Sequence, residues 1–222
     1  MKKTAIILGA TGLTGSLLLQ KLIDDDSYGH ILLFSRSKIE NLPSNVTQFI
    51  GDLLTLEDFK SQFIADEVYC CIGTTAKKTP DKNLYKKIDY GIPVTAAKLA
   101  KENNINTFLV ISAMGANKNS KVFYNKTKGE MEDAVLAQHI KNTFILRPSL
   151  IGGNRKESRL LENIGLAIFR IIQPLFIGKL KQYKIIEPED IAQAMINLAK
   201  NSIRAEVILT SDEIKQISKT IK

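Results

Sequence analysis

The sequence predicts an α/β fold in which a doubly wound, mostly parallel sheet carries helices on both faces. Short β-rich runs recur along the chain, at Thr4–Leu8, His30–Ser35, Thr47–Ile50, Glu67–Cys71, Thr107–Ser112, Thr143–Arg147 and Glu206–Thr210. Between most of them lie stretches whose apolar residues are three and four apart, the spacing of one helix face. Runs such as Phe108-Leu109-Val110-Ile111 are apolar throughout, as strands are when helices cover both sheet faces. Strand and helix in alternation imply parallel crossovers.

The elements follow in chain order. Thr4–Leu8 is a short apolar run that Gly9 breaks, so it reads as a strand and not as a signal peptide. Leu18, Leu22 and Ile23 mark the first helix. Val94, Ala97, Leu99 and Ala100 mark a longer one that ends at Asn103-Asn104, a helix stop signal. With 222 residues, 44% apolar and 24% charged, the chain has the length and composition of one globular domain spanning residues 1–222.

Gly9, Gly12 and Gly15 stand in the string G-A-T-G-L-T-G, directly after the first strand and before the first helix. In that context Gly9 permits a tight turn, Gly12 a close approach of backbone to a pyrophosphate, and Gly15 close packing of helix on strand. The backbone N–H groups of Thr11, Gly12 and Leu13 are expected to face the anion at the positive end of the helix dipole, with Thr14 beside them. This is the nucleotide-binding turn of a Rossmann sheet. A dinucleotide site that prefers NAD(H) ends its second strand with an acid. Here that strand ends Ser35-Arg36-Ser37, while Asp24, Asp25 and Asp26 precede it and lie at its wrong end. Arg36 suits a 2′-phosphate and can stack on adenine, so NADP(H) is the expected cofactor, with NAD(H) as the alternative.

A candidate catalytic group comes next. Ser112 ends the fifth strand, at the edge where open α/β sheets bind ligands. Tyr124 and Lys128 follow, four residues apart and so on one helix face. Among the tyrosines, Tyr124 alone has a lysine at that spacing. In these roles Lys128 acidifies the Tyr124 phenol and holds the nicotinamide ribose. Tyr124 gives a proton to a carbonyl oxygen as hydride arrives, and Ser112 donates a hydrogen bond to that oxygen.

With these motifs, and with Cys70-Cys71-Ile72-Gly73-Thr74-Thr75, Ser112-Ala113-Met114-Gly115-Ala116, Tyr124 to Glu130, and Arg147-Pro148 followed by Arg155 to Arg159, the chain resembles the atypical short-chain dehydrogenases/reductases. Within them it is similar to the Tat-interactive-protein (oxidoreductase) branch, over most of positions 4–160. The resemblance implies that Cys71, Ile72, Gly73 and Thr74 run past the cofactor, and that Pro148, Ser149, Leu150 and Ile151 pass the nicotinamide. By the same analogy Asp52 and Leu53 lie against the adenine. The N-N-A-G stretch that typical members carry after the fourth strand is absent, and its asparagine-dependent proton relay with it.

Other classes are disfavoured. The net charge of +8 is spread through the chain, with no basic arm or base-stacking signature, so nucleic acid is not the expected partner. Cys70 and Cys71 are adjacent, and His30 and His139 are the only histidines, which leaves no metal-ligand spacing. Both cysteines read as small residues at a strand end, and both histidines as surface or capping residues. The apolar stretch Leu160 to Ile177 is interrupted by Glu162, Asn163, Arg170 and Gln173 and does not read as a membrane span. It falls in a segment of about 152–184 expected to form the substrate wall. Pro174 would break its helix and leave Leu175-Phe176-Ile177 as an apolar lid. The expected protein is cytoplasmic. It reduces a small, apolar carbonyl compound with NADP(H), or else binds NADPH as a regulatory or interaction protein without efficient turnover.

Overall fold

The computed structural model describes residues 2–152, 183–201 and 206–220. The lid and most of the substrate wall expected between 152 and 184 lie outside them.

Each expected β-rich run is a strand, with ends moved by no more than a residue or two: β1 (Lys3–Leu8), β2 (Tyr28–Ser35), β3 (Val46–Ile50), β4 (Glu67–Cys70), β5 (Thr107–Ile111), β6 (Asn142–Arg147) and β7 (Glu206–Thr210). They form one seven-stranded sheet in the order β3-β2-β1-β4-β5-β6-β7. Every neighbouring pair is parallel. Helices α1 (Leu13–Ile23), α2 (Lys82–Lys86), α3 (Ile92–Glu102), α4 (Phe123–Leu136), α5 (Pro188–Lys200) and α6 (Ser211–Ser218) cover it, with a 3-10 segment over Leu53–Phe59. The order reverses between β1 and β4. Adjacent connections there leave in opposite directions and open a crevice at the strands' carboxyl ends.

Alternation along each strand explains the apolar runs. Ala5 and Ile7 of β1 and Leu109 of β5 pack on one face with Leu18 and Leu22 of α1 and Met195 of α5. Ile6, Leu8, Phe108 and Val110 pack on the other with Ala96, Ala97 and Ala100 of α3 and Met131 and Val135 of α4. Successive side chains point to opposite faces, and both faces are apolar layers. The Asn103-Asn104 stop acts as expected: Asn103 caps α3 and Asn104 takes a left-handed φ of 57°, as asparagine tolerates. His139 does the same after α4, at φ 51°.

A polar cluster sits at the amino ends of β1, β2 and β4, opposite that crevice. Glu67 is buried, and its Oε2 accepts from Tyr28 (2.8 Å) and Tyr69 (2.6 Å), while Lys3 pairs with Oε1. Burial, then the Glu67 charge, raises both phenols and keeps their protons in these bonds. Glu67→Ala would leave the buried Tyr28 and Tyr69 hydroxyls only each other, at 3.0 Å, with one proton lacking an acceptor, and would open a void. We expect a loss of about 3 kcal/mol or more, read as a fall of at least about 6 °C in the thermal unfolding midpoint. A fall of under 2 °C would show that the cluster contributes little.

Candidate functional site

The glycine turn lies at the crevice. Gly9 has φ +85°, and a Cβ there would sit 2.8 Å from the Cys71 carbonyl oxygen, so the loops after β1 and β4 touch at this point. A Cβ on Gly15 would overlap the Gly9 carbonyl oxygen and lie 2.8 Å from its carbon. Gly12 caps α1 with an ordinary φ of −81°. One expectation changes. The Gly12 N–H donates to the Gly9 carbonyl at 2.9 Å and is occupied within the turn. The first-turn amides of Leu13, Thr14 and Gly15 have no carbonyl a turn behind them and point along the helix axis instead.

The loop after β4 carries Cys71 to Thr74 across the same edge. The next helical stretch does not run straight: a π-helical turn, Lys87–Gly91, joins α2 to α3. That turn presents Asp89, which is buried, to two partners. Its Oδ2 accepts from the Thr74 N–H at 2.8 Å, and its Oδ1 lies 2.9 Å from the Lys128 ammonium. Lys128 is itself buried and also approaches the Ile111 carbonyl at 3.5 Å. Burial, then the Asp89 charge, holds the neighbouring Tyr85 hydroxyl protonated, and this ring packs edge-on to Tyr124 at 6.3 Å.

Helix α4 carries the rest. Tyr124 is in its first turn and 40% exposed, Lys128 is one turn on, and Glu132 one turn further. Glu132 is buried and holds two groups. Ser112 donates to its Oε1 at 2.5 Å, and Arg147 forks onto both oxygens, Nε at 2.9 Å and Nη2 at 2.5 Å. The hydrogen bond to Glu132 raises the Arg147 pKa further. Gly129 lets the helix press on the preceding loop: a Cβ would lie 2.8 Å from the Asn117 Cα. Ser112, Tyr124 and Lys128 thus share one region, as the sequence implied. Asp89 and Glu132 were missed. Glu132 had a signal, since it repeats the four-residue spacing of Tyr124 and Lys128. Asp89 had none, because it depends on the π-turn.

The other expected residues are less uniform. Arg36 is exposed directly after β2. Asp52 caps the 3-10 segment through Leu54 N–H at 2.9 Å, and Leu53 is buried in the core. Pro148 accepts from Met114 N–H at 3.1 Å, while Leu150 and Ile151 run alongside Ile186. The Ser149 hydroxyl turns inward to the Lys184 carbonyl and to Ser211 at 3.0 Å. Burial pushes the Cys70 thiol up to about 11 and raises that of Cys71 as well, so both stay protonated. Among the described residues no group of three or more histidine, cysteine, aspartate or glutamate side chains could hold a metal. No described helix is long and apolar enough to cross a membrane.

Residues 9–163, which contain the glycine turn, Asp89, Ser112, Tyr124, Lys128 and Glu132, match the family described as NAD(P)H-binding. The chain belongs to that family. Protein FMP52, mitochondrial, of Candida albicans is 32% identical over 235 residues, covering 98% of this chain and 99% of that protein. Protein HTATIP2 of Rattus norvegicus is 31% identical over 161 residues, covering 71% of this chain and 66% of that protein. These matches make the chain an atypical short-chain dehydrogenase/reductase. The Bordetella bronchiseptica enzyme WbmH, solved with NAD+, superposes with a TM-score of 0.71 at 16% identity, over 98% of this chain and 80% of its own. UDP-glucuronic acid 4-epimerase from Bacillus cereus, solved with NAD, gives 0.68 at 15%, over 98% and 85%. At such identities the likeness is one of fold.

The family corrects one expectation. Relatives that match nearly the whole chain, from Candida albicans, Scheffersomyces stipitis and Meyerozyma guilliermondii, are named mitochondrial, which overturns the cytoplasmic reading. That reading rested on a leader-like run not being visible, and a Rossmann core has the same composition wherever it works. The cradle fits the nucleotide the family binds. A side chain on Gly9 would collide with the β4 loop, and the α1 amides are placed for an anion.

Proposed function

We propose that this NAD(P)H-binding protein is an NADP(H)-dependent oxidoreductase that reduces a small, apolar carbonyl compound. The observation that carries the reading is the contrast within α4: Lys128 is buried and held by Asp89, while Tyr124, one turn earlier, is 40% exposed at the crevice. An anchored cation with an accessible phenol beside it is the arrangement a proton donor needs. NADPH bound in the cradle supplies the hydride. The Leu13, Thr14 and Gly15 amides would hold the pyrophosphate, with Gly9 and Gly12 keeping the backbone clear for it, and Gly73 and Thr74 would flank the cofactor. Lys128 orients the ribose. The Tyr124 hydroxyl gives its proton to the carbonyl oxygen, which becomes an alcohol.

Cofactor choice is the direct test. Arg36 stands where an NAD-preferring site has an acid, and a bidentate charge-assisted contact contributes roughly 1.5–3 kcal/mol. Fluorescence titration should show tighter binding of NADPH than of NADH. Arg36→Ala should weaken NADPH roughly tenfold or more and leave NADH nearly unchanged. Equal affinities in the parent protein would defeat the assignment.

One observation favours a second reading. The Ser112 hydroxyl hydrogen is engaged by Glu132, so Ser112 must release it before donating to a substrate oxygen. A site left in that state holds NADPH without efficient turnover, as a regulatory or interaction protein would. NADPH oxidation across a panel of aldehydes and ketones separates the two.

A further inference from the structure

We propose that the crevice edge docks on an anionic lipid bilayer, with Leu84 and Val122 entering the interface and Lys77, Lys82 and Lys121 meeting the lipid phosphates. Docking is read as binding, so the inference stands apart from the reaction proposed above.

Helices α2 and α4 both begin at the strands' carboxyl ends, and their first turns pack together there. The Tyr85 ring meets those of Phe123 at 5.6 Å and Tyr124 at 6.3 Å, and the Lys82 ammonium stands 5.7 Å from the centre of the Phe123 ring. Beside these contacts Leu84 is 40% exposed and Val122 57%. Val122 occupies the N-cap of α4 and makes no side-chain cap hydrogen bond, in a position where serine, threonine or an acid would stabilise the helix. Local stability therefore gives no reason for a valine in water at that place. A single exposed apolar side chain is ordinary, but two on adjoining helix starts form a patch.

The charge around the patch is of one sign. Lys77, Lys82 and Lys121 are exposed, and none has an ion pair among the described residues. Lys86 and Lys118 differ, since Glu130 and Asp133 hold them at 2.6 Å. The amino ends of the strands differ too. Their exposed charges are mixed, with Asp24, Asp26 and Asp66 beside Lys2 and Lys141, and Ile64 is the one exposed large apolar side chain there among the described residues. Unpaired positive charge and exposed apolar carbon thus coincide on the crevice edge. An anionic bilayer complements both, with phosphates for the lysines and an apolar interior for the side chains. A small anion would satisfy the lysines and leave Leu84 and Val122 in water. Lysine is depleted from protein–protein interfaces, which favours lipid over an acidic protein as the occupant.

The chain contains no tryptophan, so a single introduced one reports its own surroundings. Full-length Val122→Trp and Ile64→Trp are each mixed with vesicles of phosphatidylcholine, or of phosphatidylcholine and phosphatidylglycerol in equal parts. We expect the Val122→Trp emission to shift to the blue with the anionic vesicles only and to return at high salt, while Ile64→Trp stays unchanged. Co-sedimentation gives the energetics. Each lysine near an anionic surface contributes roughly fivefold in affinity, so Lys77→Gln, Lys82→Gln and Lys121→Gln together should weaken binding roughly a hundredfold. Leu84→Ser with Val122→Ser should weaken it roughly tenfold. Failure of the parent protein to sediment with anionic vesicles overturns the proposal, and so does an equal blue shift at both tryptophans. If the two serines leave binding within twofold, charge alone acts, any polyanion or acidic protein would serve, and the bilayer assignment is wrong. A blue-shifted Val122→Trp in a dimer without vesicles would give the patch to a second copy and overturn it as well. Should the two-serine variant not fold, the tryptophan pair decides alone.

Discussion

Alanine at Gly15 is expected to cost about 3 kcal/mol or more of stability, at the upper end for overpacking, and to abolish NADPH binding. Alanine at Gly12 is expected to abolish binding alone. The difference follows from what each new Cβ would meet. At Gly15 it overlaps the carbonyl of Gly9, a backbone group held in a turn with φ +85°, and neither the helix nor the turn can yield separately. At Gly12 the backbone is ordinary, and the Cβ would stand 3.2 Å from the Gly9 oxygen, a tight contact that a small shift relieves. Its cost is then felt by the pyrophosphate, which needs the backbone within reach. Thermal unfolding and NADPH titration on both variants check this. If Gly12→Ala unfolds as early as Gly15→Ala, Gly12 serves the turn and not the ligand. If Gly12→Ala binds NADPH normally, the pyrophosphate lies elsewhere.

Tyr124→Phe is expected to lower turnover by roughly 10²–10⁴-fold while changing NADPH affinity less than about twofold. In the proposed reaction the hydroxyl it removes is the group that gives its proton to the carbonyl oxygen. The ring that remains keeps its edge-on contact with Tyr85 at 6.3 Å, so the start of α4 should hold its shape. Lys128→Ala should reduce both turnover and affinity, because it strands buried Asp89 and removes the proposed cofactor contact. Steady-state rates on a substrate found by NADPH-oxidation screening, with titrations alongside, make the comparison. Full activity in Tyr124→Phe would remove it as proton donor.

Much of the fold was legible in the sequence because its signals are local. A glycine with positive φ, an Asn-Asn stop and strands apolar on both faces each record a constraint within a few residues, and those of Gly9, Asn104 and Phe108–Ile111 were met in the structure. The grouping of Ser112, Tyr124 and Lys128 was legible too, since strand end and helix start are consecutive elements.

What the tertiary structure decided is how those residues are held. Gly12 N–H is taken by Gly9, Ser112 by Glu132, Lys128 by Asp89, and Ser149 turns from the edge toward Ser211. None of these pairings follows from spacing alone. A buried donor or charge takes whichever partner the fold brings within about 3 Å. For Lys128 that partner lies on another helix and is delivered by a π-turn. The sequence by itself determined where the strands fall and that Gly9 and Gly15 must be glycine, because sterics and periodicity act along the chain. The hydrogen-bonding state of each polar group was set only when distant segments closed around it.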